Sequence, residues 1–225
     1  MRRLLIAKEG LPYTIGLAVL AALFAFLGLQ FLTGLTLIAT LLVINFFRDP
    51  NRVIPNVPHA VLAPADGRIV FAGPAFEDRF LNRETLKVSI FMSIFNVHVN
   101  RIPFSGEVES VHYEKGKFLS ANLDQASWSN EQNVVHLHVP GGGEILFVQI
   151  AGLVARRIVC SLKPGDHVRR GDRFGMIRFG SRLDLHVPTD SHLAVKKGQR
   201  VKAGESIVCY YPRNKEDEED KKRDR

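Results

Sequence analysis

The sequence predicts a mainly β protein, in which a barrel-sandwich-like β domain follows an N-terminal hydrophobic helical hairpin. An uncharged run from Leu11 to Phe47 predicts the hairpin. Beyond Val61, short apolar runs separated by Gly, Pro and Asp are typical of β-strands. A motif that occurs twice near the C-terminus is typical of the hairpins that build small sandwiched barrels.

The hairpin is predicted within residues 1–50. Its apolar run exceeds the ~20 residues needed for one membrane crossing, and glycines interrupt it near the middle. We therefore expect helices at about Leu11–Leu27 and Phe31–Phe47 that either span the bilayer or dip into it. Basic residues flank both ends of the run: Arg2, Arg3 and Lys8 before it, Arg48 and Arg52 after it. This arrangement predicts that both ends lie on the cytoplasmic side; a hairpin buried in a protein core is the alternative.

The rest of the chain divides into a β-rich catalytic domain at residues 51–212 and a charged tail at 213–225. The tail holds six basic and six acidic residues and is predicted to be disordered, so the net charge of +7 comes from elsewhere in the chain. Such an excess suits an anionic membrane, and no nucleic-acid motif is present. Cys160 and Cys209 lie in apolar runs and are expected to be buried thiols.

Seven apolar runs are predicted as strands: Arg68–Ala72, Leu86–Phe91, Gly106–His112, Asn133–Val139, Glu144–Ile150, Arg156–Cys160 and Ser206–Tyr211. The segment Phe118–Trp128 reads as an irregular loop. Lys163–Asp172 and Lys196–Glu205 share the pattern Gly-x-x-Val-x-x-Gly-acid, which is similar to the hairpins of lipoyl and biotinyl carrier domains. In those carriers a modified lysine stands between the two half-motifs, whereas Gly180-Ser181 lies there in this chain.

The Gly180-Ser181 bond is the predicted site of self-cleavage, within a stretch flanked by two short predicted strands. Glycine permits backbone conformations closed to other residues, so the Ser181 hydroxyl could attack its own preceding carbonyl. An ester forms, β-elimination breaks the chain, and hydrolysis leaves a pyruvoyl group at residue 181. Such a carbonyl condenses with an amine and accepts the electron pair left by decarboxylation. The sequence contains no phosphate-binding glycine loop of the P-loop or Rossmann type.

Other polar residues are candidates for the same site. Asp66 opens the first predicted strand in an Asp-Gly turn. Strand alternation places Asn96, His98 and Asn100 on one face and Arg101 on the other. Three polar side chains on one face suit the wall of a site better than a core strand.

A zinc peptidase and a non-catalytic barrel-sandwich adaptor are the alternative functions. His136 and His138 share one face of a predicted strand, and His186 and Asp190 form a His-x-x-x-Asp pair. Their order is inverted relative to peptidases of the lysostaphin class. We therefore predict no metal site.

The ordered set of motifs resembles the phosphatidylserine decarboxylase family, most closely its compact, archaeal-like branch. The resemblance covers about residues 45–210. The motifs that carry it are Phe47-Arg48-Asp49-Pro50, Ala63-Pro64-Ala65-Asp66-Gly67, Phe95-Asn96-Val97-His98-Val99-Asn100-Arg101-Ile102-Pro103-Phe104-Ser105-Gly106 and Phe179-Gly180-Ser181.

The resemblance implies a membrane-bound proenzyme that cleaves itself into a large chain (1–180) and a small chain (181–225). These remain together as a heterodimer, which could pair into a homodimer, and convert phosphatidylserine to phosphatidylethanolamine at the cytoplasmic face. A related amino-containing lipid is the alternative substrate. The resemblance assigns activation of Ser181 to Asp66 and His98, and we expect Asp66 to orient His98 as it accepts the hydroxyl proton. Longer bacterial members carry a second histidine where this chain has Arg101, so either His98 serves alone or Asp66 acts more directly. Arg182 and Asn96 are expected to bind substrate. Arg101 and Arg182 are both candidates for the lipid phosphate, and strand alternation favours Arg182 because it places Arg101 opposite His98.

Overall fold

The computed structural model describes residues 5–116, 130–141, 143–152, 157–178 and 181–212. A 3-10 turn at Lys8–Gly10 leads into helices α1 (Leu11–Phe26) and α2 (Gln30–Phe46). The predicted helical hairpin is confirmed, with each boundary within one residue. The predicted loop at 118–128 and the tail at 213–225 lie outside the described residues.

The hairpin is apolar on all sides and does not fold back into a core. Gly28 has a φ of 73° where the chain reverses between the helices. Phe26 and Phe31 at this turn are 87% and 82% exposed. Inside α2, the Thr36 hydroxyl donates to the carbonyl oxygen of Leu32 at 2.7 Å, so its polar group is satisfied within the helix. By length and composition, the helical run Lys8–Phe26 could cross a membrane, and its exposure excludes the buried-core alternative.

Three sheets form the rest of the described chain. Their strands are β1 (Ala60–Leu62), β2 (Gly67–Glu77), β3 (Arg83–Met92), β4 (Val99–Arg101), β5 (Gly106–Glu114), β6 (Gln132–Val139), β7 (Gly143–Ala151), β8 (Ile158–Cys160), β9 (His167–Val168), β10 (Arg173–Ile177), β11 (Ser181–Val187), β12 (His192–Leu193), β13 (Arg200–Val201) and β14 (Ile207–Tyr210). The largest sheet is an eight-stranded curled half-barrel in the order β13-β2-β3-β11-β7-β6-β5-β9. Two three-stranded sheets have the orders β1-β14-β12 and β4-β10-β8.

The sequence repeat corresponds to two structurally equivalent turns. Gly165 and Gly171 in the first copy, and Gly198 and Gly204 in the second, have φ between 73° and 93°. This left-handed region favours glycine because other residues clash there. The repeat therefore conserves backbone geometry rather than a ligand site, and the predicted barrel-sandwich-like β fold is confirmed.

Strand β11 is central to the large sheet and begins at Ser181. It pairs antiparallel with β3 on one side and with β7 on the other. Leu183, Leu185 and Val187 alternate along it and belong to the main hydrophobic core. All seven of its residues are buried, so the strand that follows the predicted cleavage point is held on both edges and both faces.

Candidate active site

Ser181 faces the interior of the large sheet. It lies on the same face of β11 as Leu183, because side chains alternate along a strand, and opposite Met92 and Ala151 on the neighbouring strands. Its Oγ is buried and has no hydrogen-bond partner among the described residues. An unpaired buried hydroxyl costs free energy, so its presence calls for an explanation. Gly180 lies outside the described residues.

A chain of buried amides ends beside Ser181. Asn133 donates through Nδ2 to Oε1 of Gln149 at 3.0 Å, and Gln149 donates through Nε2 to Oδ1 of Asn100 at 2.9 Å. Asn100 in turn points Nδ2 at the sulfur of Met92, 3.8 Å away. Of the three amides, the sequence indicated Asn100 alone. Gln149 could have been found from the sequence, because it is a glutamine inside the otherwise apolar run of β7.

His98 is fully buried, and its environment keeps it neutral. Its Nδ1 lies 2.9 Å from the carbonyl oxygen of Asn96, so this nitrogen carries the proton. Burial lowers the pKa of His98 to about 4, although the bond to Asn96 raises it somewhat and Arg48 lowers it further. The other ring nitrogen, Nε2, is buried and has no partner in the described chain. A neutral imidazole with a free Nε2 is a general base ready to accept a proton.

The elements around His98 bring it toward the segment that leads to Ser181. Val99, the next residue, pairs with Met176 of β10, and β10 ends at Ile177. The ring of Phe46, the last residue of α2, lies 4.2 Å from the His98 ring between centroids. The hairpin therefore contributes directly to the surroundings of the histidine.

Asp66 does not orient His98 through a hydrogen bond, contrary to the sequence-based expectation. Both of its carboxylate oxygens accept from Nη2 of Arg52, at 2.9 and 2.8 Å, and Oδ1 also accepts from the amide of Ala203 at 2.7 Å. These bonds fasten the linker after the hairpin to the loop before β14. The carbonyl of Asn96 takes the place expected for Asp66 beside the histidine.

Asn96 and Arg182, the two expected substrate-binding residues, are engaged in other contacts. The Asn96 Oδ1 accepts from the amide and the hydroxyl of Ser93, both at 2.8 Å, and closes a turn. The predicted strand therefore begins only at Val99. Arg182 is buried on the face of β11 opposite Ser181, and its Nε lies 2.9 Å from Oδ1 of Asp184.

Arg182 belongs to a buried ion-pair cluster on the outer face of the sheet. Burial opposes ionisation of Asp184, but Lys87 at 2.9 Å and Arg182 outweigh it and lower the pKa of the carboxyl. His186, two residues further along the same face, has its pKa lowered to about 4, chiefly by burial. This charged set stabilises the position of β11 and does not face the serine.

The histidines of the zinc alternative do not converge. Among the described residues, Glu109, His136 and Glu144 place ligand atoms within 4.8 Å of one another, and neither His138 nor His186 joins them. His136 and His186 lie two strands apart, because both pair with Leu146 of β7 from opposite sides. Nδ1 of His186 instead lies 3.0 Å from the hydroxyl of Thr85.

Arg101, at the position of the second family histidine, ties the base of the hairpin to the β domain. Its guanidinium donates to the carbonyl oxygen of Gly171 at 2.9 Å and to Oδ1 of Asp49 at 3.3 Å. Arg173 contacts the other oxygen of the same carboxylate. Arg101 is thus a structural residue in this chain, and His98 has no second histidine beside it in the motif.

Comparisons with known proteins agree on one family. The family model described as phosphatidylserine decarboxylase matches residues 39–209. The chain is 49% identical over 203 residues to the phosphatidylserine decarboxylase proenzyme of Syntrophus aciditrophicus, covering 89% of this chain and 95% of that protein. It is 46% identical to the proenzyme of Desulfotalea psychrophila, covering 90% and 95%. Against the proenzyme of Nitrosomonas eutropha it is 47% identical, covering 92% and 95%.

Proposed function

The chain belongs to the phosphatidylserine decarboxylase family, and on that basis we propose that it breaks its own backbone between Gly180 and Ser181. The enzyme decarboxylates phosphatidylserine to phosphatidylethanolamine. A zinc peptidase and a non-catalytic adaptor receive no support from these relatives. The archaeal-like branch stays a prediction, since the comparisons name the family and not a branch.

Maturation begins with the hydroxyl of Ser181, which has no partner among the residues that the structure describes. Its Oγ attacks the carbonyl carbon of Gly180 and replaces the peptide C–N bond by an ester, while Nε2 of His98 accepts the hydroxyl proton and returns it to the released amine. Nε2 of His98, free again, then takes the Cα proton of residue 181, a Cα–Cβ double bond forms, and the Cβ–O bond breaks with loss of the Gly180 carboxylate. One water hydrolyses the resulting enamine and releases ammonia. The buried Oγ at the start of β11, without a partner in the described part of the chain, is the observation that carries this proposal.

The interior position of residue 181 fits a pyruvoyl group. Once formed, the group supplies a carbonyl that condenses with the substrate amine and takes up the electron pair left by carbon dioxide. Buried apolar neighbours exclude water from this position and disfavour the charged carboxylate of the substrate. His98 stands ready to move protons, because its low pKa leaves it neutral at physiological pH.

The two chains stay together after cleavage in this proposal. Three of the four strands described within 181–212 pair with strands of the larger piece: β11 with β3 and β7, β13 with β2, and β14 with β1. Breaking one bond ahead of β11 leaves all of this pairing in place. A homodimer of such heterodimers stays a prediction.

The substrate phosphate is assigned to Arg178 rather than Arg182. Arg178 lies three residues before Ser181, is partly exposed, and donates to the hydroxyl of Tyr13 at 3.0 Å, at the start of α1. The exposed apolar hairpin enters the membrane in our proposal, with both of its ends on the cytoplasmic side. Arg178 is therefore placed where lipid headgroups lie.

Intact-mass measurement tests the self-cleavage directly. The purified enzyme should contain two chains, 1–180 and 181–225, the smaller one lighter by one ammonia than the same peptide beginning with serine. Ser181→Ala should remain one chain of full length. A decarboxylase that is active as a single unbroken chain, or Ser181→Ala cut at the same bond, would refute the proposal.

A further inference from the structure

A short turn between β3 and β4 exposes two large apolar side chains. Ile94 is 50% and Phe95 is 71% exposed, whereas Val97 to Arg101 are buried. The turn is closed by the bonds from Ser93 to Oδ1 of Asn96 and by the Asn96 amide, which donates to the Ser93 carbonyl oxygen at 2.9 Å. Ile94 and Phe95 are therefore held outward on a fixed turn.

This turn is fastened to the base of the helical hairpin. Arg48, two residues after the end of α2, donates through Nη2 to the carbonyl oxygen of Phe95 at 2.7 Å. The residues that follow the turn, Val97 and Val99, pack in a separate small core with Phe46, Phe47 and other apolar residues. The orientation of the turn is thus fixed relative to the two helices.

The same end of the hairpin carries the basic residues. Both helices have their base at the β domain and are ~25 Å long, from 16 and 17 residues. If the exposed turn around Gly28 points into the bilayer, the base lies at the headgroups. Arg48 and Arg178 are both at this base, and the guanidinium of Arg178 lies 5.6 Å over the ring of Tyr13. Basic side chains and a tyrosine at the same depth along the membrane normal are typical of a membrane interface.

We propose that the Ile94–Phe95 turn is a second membrane contact, which inserts into the same leaflet as the hairpin beside an anionic headgroup layer. This inference rests on the membrane insertion in the proposed function. Because His98 follows Phe95 by three residues, insertion of the turn presses the region of the histidine against the headgroups. A phospholipid can then reach the site without leaving the bilayer.

Depth-dependent fluorescence quenching tests the contact without measuring activity. The chain has one tryptophan, so Trp128→Phe provides a background into which Phe95→Trp, Phe31→Trp or Phe76→Trp is introduced. Phe76 is the matched control, since it is 59% exposed but lies on β2. The probe is a vesicle of phosphatidylcholine and phosphatidylglycerol with brominated acyl chains. We expect strong quenching at Phe31→Trp, clear quenching at Phe95→Trp and little at Phe76→Trp.

Two results would overturn the contact, for different reasons. If Phe31→Trp is quenched and Phe95→Trp is quenched no more than Phe76→Trp, the hairpin inserts and the turn does not. If Phe31→Trp is not quenched either, insertion of the hairpin fails and the inference fails with it. Self-cleavage is read separately by intact mass, so neither result bears on the proposed chemistry.

A second variant tests whether the contact serves catalysis. Phe95→Ser should lower the ratio of the rate on phosphatidylserine vesicles to the rate on detergent micelles by about fivefold, because micelles bring substrate to the enzyme without a bilayer. Phe76→Ser should leave this ratio unchanged. An equal ratio in the two variants would contradict a role of the turn in substrate access.

Discussion

The ring of Phe46, the last residue of the second hairpin helix, packs against the imidazole of His98 with 4.2 Å between the ring centroids. The part of the chain that we place in the membrane therefore shields the candidate general base from water. Burial is the main reason why the pKa of His98 falls to about 4. In our proposal, this contact links membrane attachment to proton transfer.

Phe46→Ala should move the acid limb of self-cleavage to higher pH. The base works only when neutral, so cleavage of the native chain should stay constant from pH 7 to pH 5 and fall as the pH drops toward 4. Removing the ring admits water and raises the pKa of His98 toward its ordinary value. The rate of precursor loss on a gel, measured from pH 4 to 7, gives the midpoint. Phe31→Ala, at the exposed tip, is the control, and identical midpoints in the two variants would contradict the shielding.

His98→Ala should slow self-cleavage by roughly 10²–10⁴-fold, the usual contribution of a general base. His98→Gln should be equally slow although it keeps a polar side chain, since an amide does not accept the proton at this pH. His138→Ala, an exposed histidine of β6, is the matched control. The fraction of uncut precursor after a fixed time is the measurement, and normal cleavage and turnover in both His98 variants would remove the residue from the site.

Asp66→Asn should act mainly on stability. Arg52 and Asp66 form a nearly buried ion pair, with side chains 7% and 12% exposed. Breaking such a pair from one side costs about 3–5 kcal/mol, because the remaining charge stays buried without its partner. We expect a similar loss from Arg52→Gln, measured by denaturant unfolding in detergent on the uncut Ser181→Ala background.

The same two variants separate a structural aspartate from a catalytic one. If Asp66 acts through Arg52, the double variant loses little more free energy of unfolding than either single variant. Self-cleavage then declines in parallel in both single variants. A catalytic Asp66, as the family resemblance implies, would abolish cleavage in Asp66→Asn while Arg52→Gln still cleaves.

Arg178→Gln should raise KM for phosphatidylserine about tenfold with little change in kcat. A charge-assisted bond to a phosphate is worth about 1.5–3 kcal/mol, and 1.4 kcal/mol corresponds to a factor of ten. Arg182→Gln should instead lower the melting temperature, because it leaves Asp184 buried with fewer partners. Steady-state kinetics in mixed micelles distinguish the two variants. If Arg182→Gln is folded and cleaved but has the raised KM, phosphate binding belongs to Arg182 instead of Arg178.

The hairpin and seven of the fourteen described strands could be predicted because their signals are local. The apolar run with glycines near its middle predicted both helices to within one residue. Sequence reasoning missed the central strand β11, because the Gly-Ser stretch was expected to lie between two strands. The other missed strands have two to five residues, such as β4 and β10, and their existence depends on pairing with distant segments. Alternation through 95–101 failed because Asn96 closes a turn with Ser93 instead of continuing a strand.

The sequence alone determined that a Gly-Ser bond lies between two copies of a glycine motif and that an apolar hairpin precedes them. Each of these patterns consists of contiguous residues, so it can be recognised without the fold. Only the tertiary structure decided which polar groups meet. In the folded chain Asp66 pairs with Arg52, and Phe46 packs on His98. Arg182 faces away from Ser181, whose Oγ has no partner within the described ranges. Arg52 lies 14 residues from Asp66, and Ala203 lies 137 residues from it. Strand register and burial select such distant partners, and no local sequence pattern encodes strand register or burial.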